Sequence, residues 1–246
     1  VPFPDWAEVD PETFPRLEDP PDAAGPLRWD FAPGRRLTYE FHQTLDQAAA
    51  TASDAKEQKA RTRDRNEGVF EFVAGPDRVA RVAIRIRTVE SFLDGHPVPA
   101  ETVARTPPSV FECSLREDGR AEVARRAGAG DAQIFFDALL AVAPGEQSLP
   151  DSRRITRRTG TFKVGPWRCA RVETEFEFAP SGPDGRTLLR GRAVGYFDLE
   201  GGRYVRASAA ARTSARRRAP APSGGGWTVT RLDAATEFRL KLRDRP

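Results

Sequence analysis

Val69-Phe70-Glu71-Phe72-Val73-Ala74-Gly75-Pro76-Asp77-Arg78-Val79-Ala80-Arg81-Val82-Ala83-Ile84-Arg85-Ile86-Arg87 is the stretch on which the fold turns. Phe70 and Phe72 share one parity, and Gly75-Pro76-Asp77 supplies turn chemistry. Val82, Ile84 and Ile86 then alternate with Arg81, Arg85 and Arg87. A period of two places the branched aliphatics on one face of a strand and the arginines on the other, as in a sheet with one face in water. So short a link joins antiparallel neighbours.

The same signal recurs on both sides of this meander. Upstream, Leu37, Tyr39 and Phe41 alternate with Thr38, Glu40 and His42. Between the two patterns, residues 48–66 carry alanines, Glu57 and Lys59 that suit a helix, but their place between strands favours a long hairpin. Downstream come a turn at Asp94-Gly95-His96-Pro97 and a hairpin of Val110–Leu115 with Ala121–Ala124 about Asp118-Gly119. After Pro150, Val172, Thr174, Phe176 and Phe178 alternate with Arg171, Glu173, Glu175 and Glu177. Strands are expected over residues 189–199, 204–213 and 227–242, with residues 216–226 as an irregular tip. Phe238, Leu240 and Leu242 share the parity of Thr228, Thr230 and Leu232, so one face continues to the C-terminus.

One segment reads as a helix. Asp131 can cap a run bearing Ile134, Phe135, Ala138, Leu139 and Val142, widened by Phe136 and Leu140 and stopped by Pro144-Gly145. A helix this apolar needs cover on several sides, which a curved sheet provides. The expected fold is therefore mainly β: an antiparallel curved sheet or half-barrel with one principal apolar helix. Residues 1–34 form a proline-rich extended leader and residues 35–246 a single β-rich domain. Prolines at 2, 4, 11, 15, 20, 21, 26 and 33 argue against any helix or central strand in the leader. Its Phe3, Trp6, Phe14, Leu17, Leu27, Trp29 and Phe31 are too apolar for a solvated tether, so the leader is expected to lie on the body of the domain or on a partner.

Composition narrows the function classes. The 246 residues include 39 Lys+Arg against 36 Asp+Glu, a net charge of +3, which is not the clustered cationic face that nucleic-acid binding requires. The longest apolar run, residues 132–143, is broken by Gln133 and Asp137 and is too short for a transmembrane helix. The sequence begins at Val1 and has no methionine, which fits a processed product and is compatible with export.

No constellation points to catalysis or metal. His42 lies on the polar parity of a strand and His96 in a turn, and neither has a carboxylate or cysteine at ligand spacing in sequence. No Gly-x-Ser-x-Gly elbow supports a nucleophile. Cys113 and Cys169 are too few for structural zinc; a disulfide between them stays open, although parity puts Cys113 with Phe111 and Leu115, and Cys169 with Arg171 and Glu173. Glu173, Glu175 and Glu177 line one strand face, where arginines of a neighbouring strand are their expected partners. Arg153, Arg154, Arg157 and Arg158 split between two faces of a strand. Gly224-Gly225-Gly226 lacks the Lys-Ser or Lys-Thr of a phosphate loop. No cofactor and no metal site follow.

Gly195-Tyr196-Phe197-Asp198-Leu199-Glu200-Gly201-Gly202-Arg203-Tyr204-Val205 resembles a strand-turn-strand unit of exported bacterial β-rich proteins of unknown function. The order meander, apolar helix, meander is similar to that of half-barrel lipoprotein carriers of the LolA and LppX type, over about residue 35 to the end. This resemblance implies an extracytoplasmic, periplasmic or cell-surface scaffold wrapping a helix and an apolar groove, with no catalytic residue to carry over. The groove or helix contacts would be Ile134, Phe135, Leu139 and Val142. Expected, then, is a non-enzymatic binding or carrier scaffold for an apolar ligand; the alternatives are an accessory subunit docked on a protein partner and a cryptic hydrolase.

Overall fold

The computed structural model describes residues 1–19, 26–53, 56–123, 136, 138–182, 185–220 and 227–243. Its strands are β1 (Arg16–Leu17), β2 (Arg36–Ser53), β3 (Lys56–Ala74), β4 (Val79–Leu93), β5 (His96–Pro97), β6 (Ser109–Arg116), β7 (Ala121–Val123), β8 (Gly145–Leu149), β9 (Ser152–Val164), β10 (Trp167–Phe178), β11 (Ser181–Gly182), β12 (Gly185–Asp198), β13 (Arg203–Pro220) and β14 (Trp227–Leu242). Two short helices are α1 (Trp6–Val9) and α2 (Ala100–Arg105). All strands join one sheet curled into an antiparallel half-barrel, eleven of them in the order β1-β9-β10-β12-β13-β14-β2-β3-β4-β6-β7, with β5, β8 and β11 paired to β4, β9 and β12. The β14–β2 pairing, from Val229↔Ala52 to Leu242↔Tyr39, joins an N-terminal meander to a C-terminal one.

Period-2 patterning decides which way each strand faces. In β4, Val82 and Ile84 are fully buried while Arg81, Arg85 and Arg87 are exposed. Residues 48–53 of β2 and 56–66 of β3 pair as facing strands, because their alternation is satisfied by cross-strand neighbours from Leu37↔Phe72 to Ser53↔Lys56. The Asp94-Gly95 turn has positive φ at both residues, 50° and 83°, the left-handed geometry that matches strand twist in a two-residue hairpin.

Three details differ from the sequence reading. The central helical segment ends before Val142: Phe136 and residues 138–140 are helical, whereas Ala141 and Val142 have left the helix and are fully buried. Ile134 and Phe135 lie outside the described residues. The leader does hold regular structure, since one turn of helix, α1, fits between Pro4 and Pro11 and two residues of β1 pair with β9 at the sheet edge. Arg216–Arg218 belong to β13, which runs on to Pro220.

The core occupies the concave side. Trp29 is its hub, stacked on Phe31 and Phe72 and edge-on to Phe197 and Tyr204, with centroids 5.4–5.8 Å away. The carbonyls at the end of the helical segment point into this cluster and find donors there. Trp29 Nε1–H donates to Leu140 O at 3.2 Å, and the Tyr204 hydroxyl donates to Ala141 O. Tyr39 Oη in turn donates to Tyr204 O at 2.8 Å. Each buried carbonyl so satisfied avoids a desolvation cost of about 1–3 kcal/mol.

A second apolar cluster lies on the convex side, where Val9 with half-buried Trp6 and Phe14 covers Cys169, Val194, Tyr196 and Val205. The leader thus touches both faces: residues 1–17 lie outside, and Leu27, Trp29 and Phe31 lie inside. Cys113 belongs to the inner cluster and Cys169 to the outer one, and the disulfide between them is not formed. A bulge at Arg171/Val172 shifts the β9–β10 register but leaves Cys169 on the face its parity gave.

Candidate functional site: an apolar cavity under the helical segment

Between the concave sheet face and the helical segment lies a cavity of about 290 Å³. Phe41 of β2, Ile86 of β4, Phe111 of β6 and Phe238 of β14 line the sheet side, and Phe136 and Leu139 the helix side. Each sheet residue arrives by the same alternation: Phe41 stands opposite Leu240 and Gly68, and Phe238 opposite Gln43. Phe41 also stacks on Phe70 at 5.0 Å and meets Phe238 at 5.7 Å.

One wall is polar. Gln43 and Asn66, cross-strand partners in β2 and β3, continue the inward rows of Phe41 and Phe70, and Asn66 Nδ2 donates to Gln43 Oε1 at 3.0 Å. Thr88, Thr106, Ser109 and Thr236 add hydroxyls to the lining. A mainly apolar chamber with a few convergent polar groups is how small-molecule sites are built, at about 300–1,000 Å³. This one lies at the small end of that range.

Of the residues foreseen from sequence, Leu139 lines the cavity and Val142 does not; Val142 is packed in the core beyond it. Phe41, Phe111, Phe238, Gln43 and Asn66 were not foreseen. Alternation shows that they point inward, but nothing local shows that four strands bring them together. The one local sign was polar side chains on the inward parity at Gln43 and Asn66.

The titratable groups are arranged structurally. Arg190 Nε meets Glu177 at 2.6 Å and Arg192 Nε meets Glu175 at 3.0 Å, so two of the three row glutamates pair with β12 arginines as expected, and Glu173 meets Arg171 at 2.7 Å. Arg153 donates to Glu146 at 2.9 Å. The reading of His42 needs correction: antiparallel register places Glu67 across from it, with Nδ1 and Oε1 3.9 Å apart, a partner invisible in linear spacing. This pair is half-exposed on the convex face, and among the described residues no group of three or more His, Cys, Asp or Glu has metal-ligand geometry.

The fold and the cavity together define an antiparallel half-barrel whose concave face lines a small, partly open apolar chamber. No protein-family model matches the chain, and no curated protein matches it. Among solved structures, lipovitellin, described for its lipid–protein interactions, is similar over 88% of this chain at 11% identity and TM-score 0.48, and the chain spans only 26% of it. The translocator domain of the autotransporter NalP from Neisseria meningitidis is similar over 83% of this chain and 88% of its own, at 10% identity and TM-score 0.23. A DUF1329 family protein from Desulfovibrio piger is similar over 78% of this chain and 83% of its own, at 12% identity and TM-score 0.16. At such scores these likenesses identify no family and transfer no activity.

Proposed function

We propose that the protein is a non-catalytic extracytoplasmic scaffold that binds a small, mostly apolar molecule carrying one polar group. The observation behind this reading is the cavity itself, with aromatic and aliphatic walls and the Gln43–Asn66 amides at one side. The apolar part of the ligand would lie against Phe41, Phe111 and Phe238, and its polar group would exchange hydrogen bonds with the amides. An accessory-subunit reading is less favoured. The leader is used on the protein's own two faces, and the most exposed large apolar side chains, Leu93, Val110 and Leu149, stand on three different strands. No described helix is long and apolar enough to cross a membrane.

Native mass spectrometry of protein purified from its source, together with displacement of 1-anilinonaphthalene-8-sulfonate, tests the reading. The wild type is expected to bind the dye or carry a ligand. Thr236→Phe, which fills the cavity from β14, is expected to lower affinity at least about tenfold, more than 1.4 kcal/mol, with unchanged circular dichroism. Equal binding by wild type and variant would overturn the proposal.

A further inference from the structure

The outer sheet face pairs arginine with carboxylate on neighbouring strands, as in Arg190–Glu177, Arg192–Glu175 and Arg61–Asp46. Where two arginines or an arginine and a lysine do stand opposite one another there, as at Arg190–Arg212 and Arg206–Lys241, Glu177, Glu8 and Glu12 accompany the arginines; one row has no such carboxylate among the described residues. Register sets Arg186 of β12 against Arg216 of β13, and Arg216 against Arg231 of β14. Residues directly opposite share a face with Cβ atoms about 4.5–5.5 Å apart, and like charges so placed repel. This face is the outer one, because Arg190 and Arg192 share the parity of Arg186, and Arg212 that of Arg216, and all three bond the leader there. Arg186, Arg216 and Arg231 are exposed, and none has a carboxylate partner among the described residues. Beyond Arg231 the row continues through Ala50 to Lys59.

We propose that the row Arg186–Arg216–Arg231 is a docking surface for an anionic lipid membrane. Three adjacent cations raise the local potential, since the nearest described carboxylate on this face, Asp233, two residues along β14 from Arg231, pairs with none of them, and an external anion relieves their repulsion. The row's place in the fold selects the partner. It crosses β12 one residue from its start, β13 four residues from its end and β14 four residues from its start, at the ends of the strands away from the Trp29 hub. Arg217 lies on the opposite face at the same level. Arginines on both faces of a sheet extremity suit end-on contact with a flat charged surface, where each basic residue adds attraction that salt weakens. A single-stranded nucleic acid binds through several bases stacked on aromatic platforms beside the cations, whereas the register sets the aliphatic positions Ala48, Ala50 and Ala52 of β2 next to the row and a single aromatic position, Trp227, four residues from Arg231 on β14. The inference does not depend on what the cavity binds.

Flotation with phosphatidylcholine vesicles, with and without an equal part of phosphatidylglycerol, tests the surface. The full chain is expected to float with the anionic vesicles only, and to be released by raised salt. The triple variant R186Q/R216Q/R231Q is expected to lose at least about tenfold in partitioning. Its thermal midpoint should be unchanged or higher, since a repulsion is removed. The control R85Q/R87Q/R105Q removes equal charge from exposed arginines elsewhere and is expected to bind as the wild type does. No binding to anionic vesicles, equal loss in both triple variants, or tighter retention on a single-stranded oligonucleotide than on vesicles would each overturn the proposal. A lowered midpoint in the row variant would make the row structural and also overturn it.

Discussion

Gly195 shows how much one missing side chain can specify. It sits on the inner face of β12, and a Cβ there would collide with the ring of Tyr204. Only a hydrogen at this position lets the ring cross the strand and bring its hydroxyl to the carbonyl of Ala141, which ties the helical segment to the sheet. Gly195→Ala is therefore expected to displace the ring and cost about 1–3 kcal/mol by overpacking, read as a lower urea midpoint with an unchanged slope. The sequence offered Gly195 as part of a strand-turn-strand unit, but the reason for glycine lay in an aromatic residue on the next strand. Asp10 is a similar case. Its carboxylate is 3% exposed, accepts the Tyr196 hydroxyl at 2.6 Å and faces Arg171 at 3.6 Å, and no local pattern marks an aspartate before Pro11 as an anchor.

Among the elements, the leader carries the sharpest expectation. Arg190 and Arg192 flank the Phe3 ring, each 5.5 Å from its centroid, and Arg192 lies 4.7 Å from that of Trp6. The same two guanidinium groups donate to the carbonyls of Val1 and Pro4. Further along, Arg212 and Arg206 bind Glu8 and Glu12, and the Arg206 bond holds the Glu12 carboxyl below its usual range. Deleting residues 1–17 would bare Val194, Tyr196 and Val205, and each kcal/mol lost moves the midpoint of a domain this size by about 2–4 °C. A fall of several degrees in calorimetry is expected, and an unchanged midpoint would show that the outer packing contributes nothing. The strands of the β2–β4 and β10–β14 regions were readable because one face of each is wet. The leader's helix turn and edge strand were not, because proline content speaks against local structure while the contacts that impose it come from β9, β12 and β13. The helical segment was readable as apolar, but its end is set by Trp29 and Tyr204, more than 60 residues from it on either side.

For the molecule as a whole, enclosure has a signature in pH. All three tyrosines are held protonated mainly by burial, Tyr196 with added help from Asp10, and burial also pushes the Cys169 thiol up to about 12. These acids keep their protons in the folded chain after the unfolded chain has lost them, near about 8.5 for cysteine and about 10 for tyrosine. Their stabilising effect is thus complete below those values and is lost as pH rises toward the folded ones. Stability is expected to be flat in these groups below about pH 8 and to fall above it. Tyrosinate absorbance should appear together with loss of the β-sheet circular dichroism signal, and a tyrosinate signal in the still-folded protein at pH 10 would contradict this. The β14–β2 seam has a further consequence, one of timing. Its 14 residue pairs join strands almost two hundred positions apart, and β14 is the last of the described strands. A ribosome adds about 5–20 residues per second, so β2 waits on the order of 10–40 seconds for its neighbour, with a bare edge and a half-built chamber open to solvent. During that interval the unpaired edge of β2 is the exposed surface that chaperones recognise on incomplete sheets, and its protection depends on how soon β14 emerges.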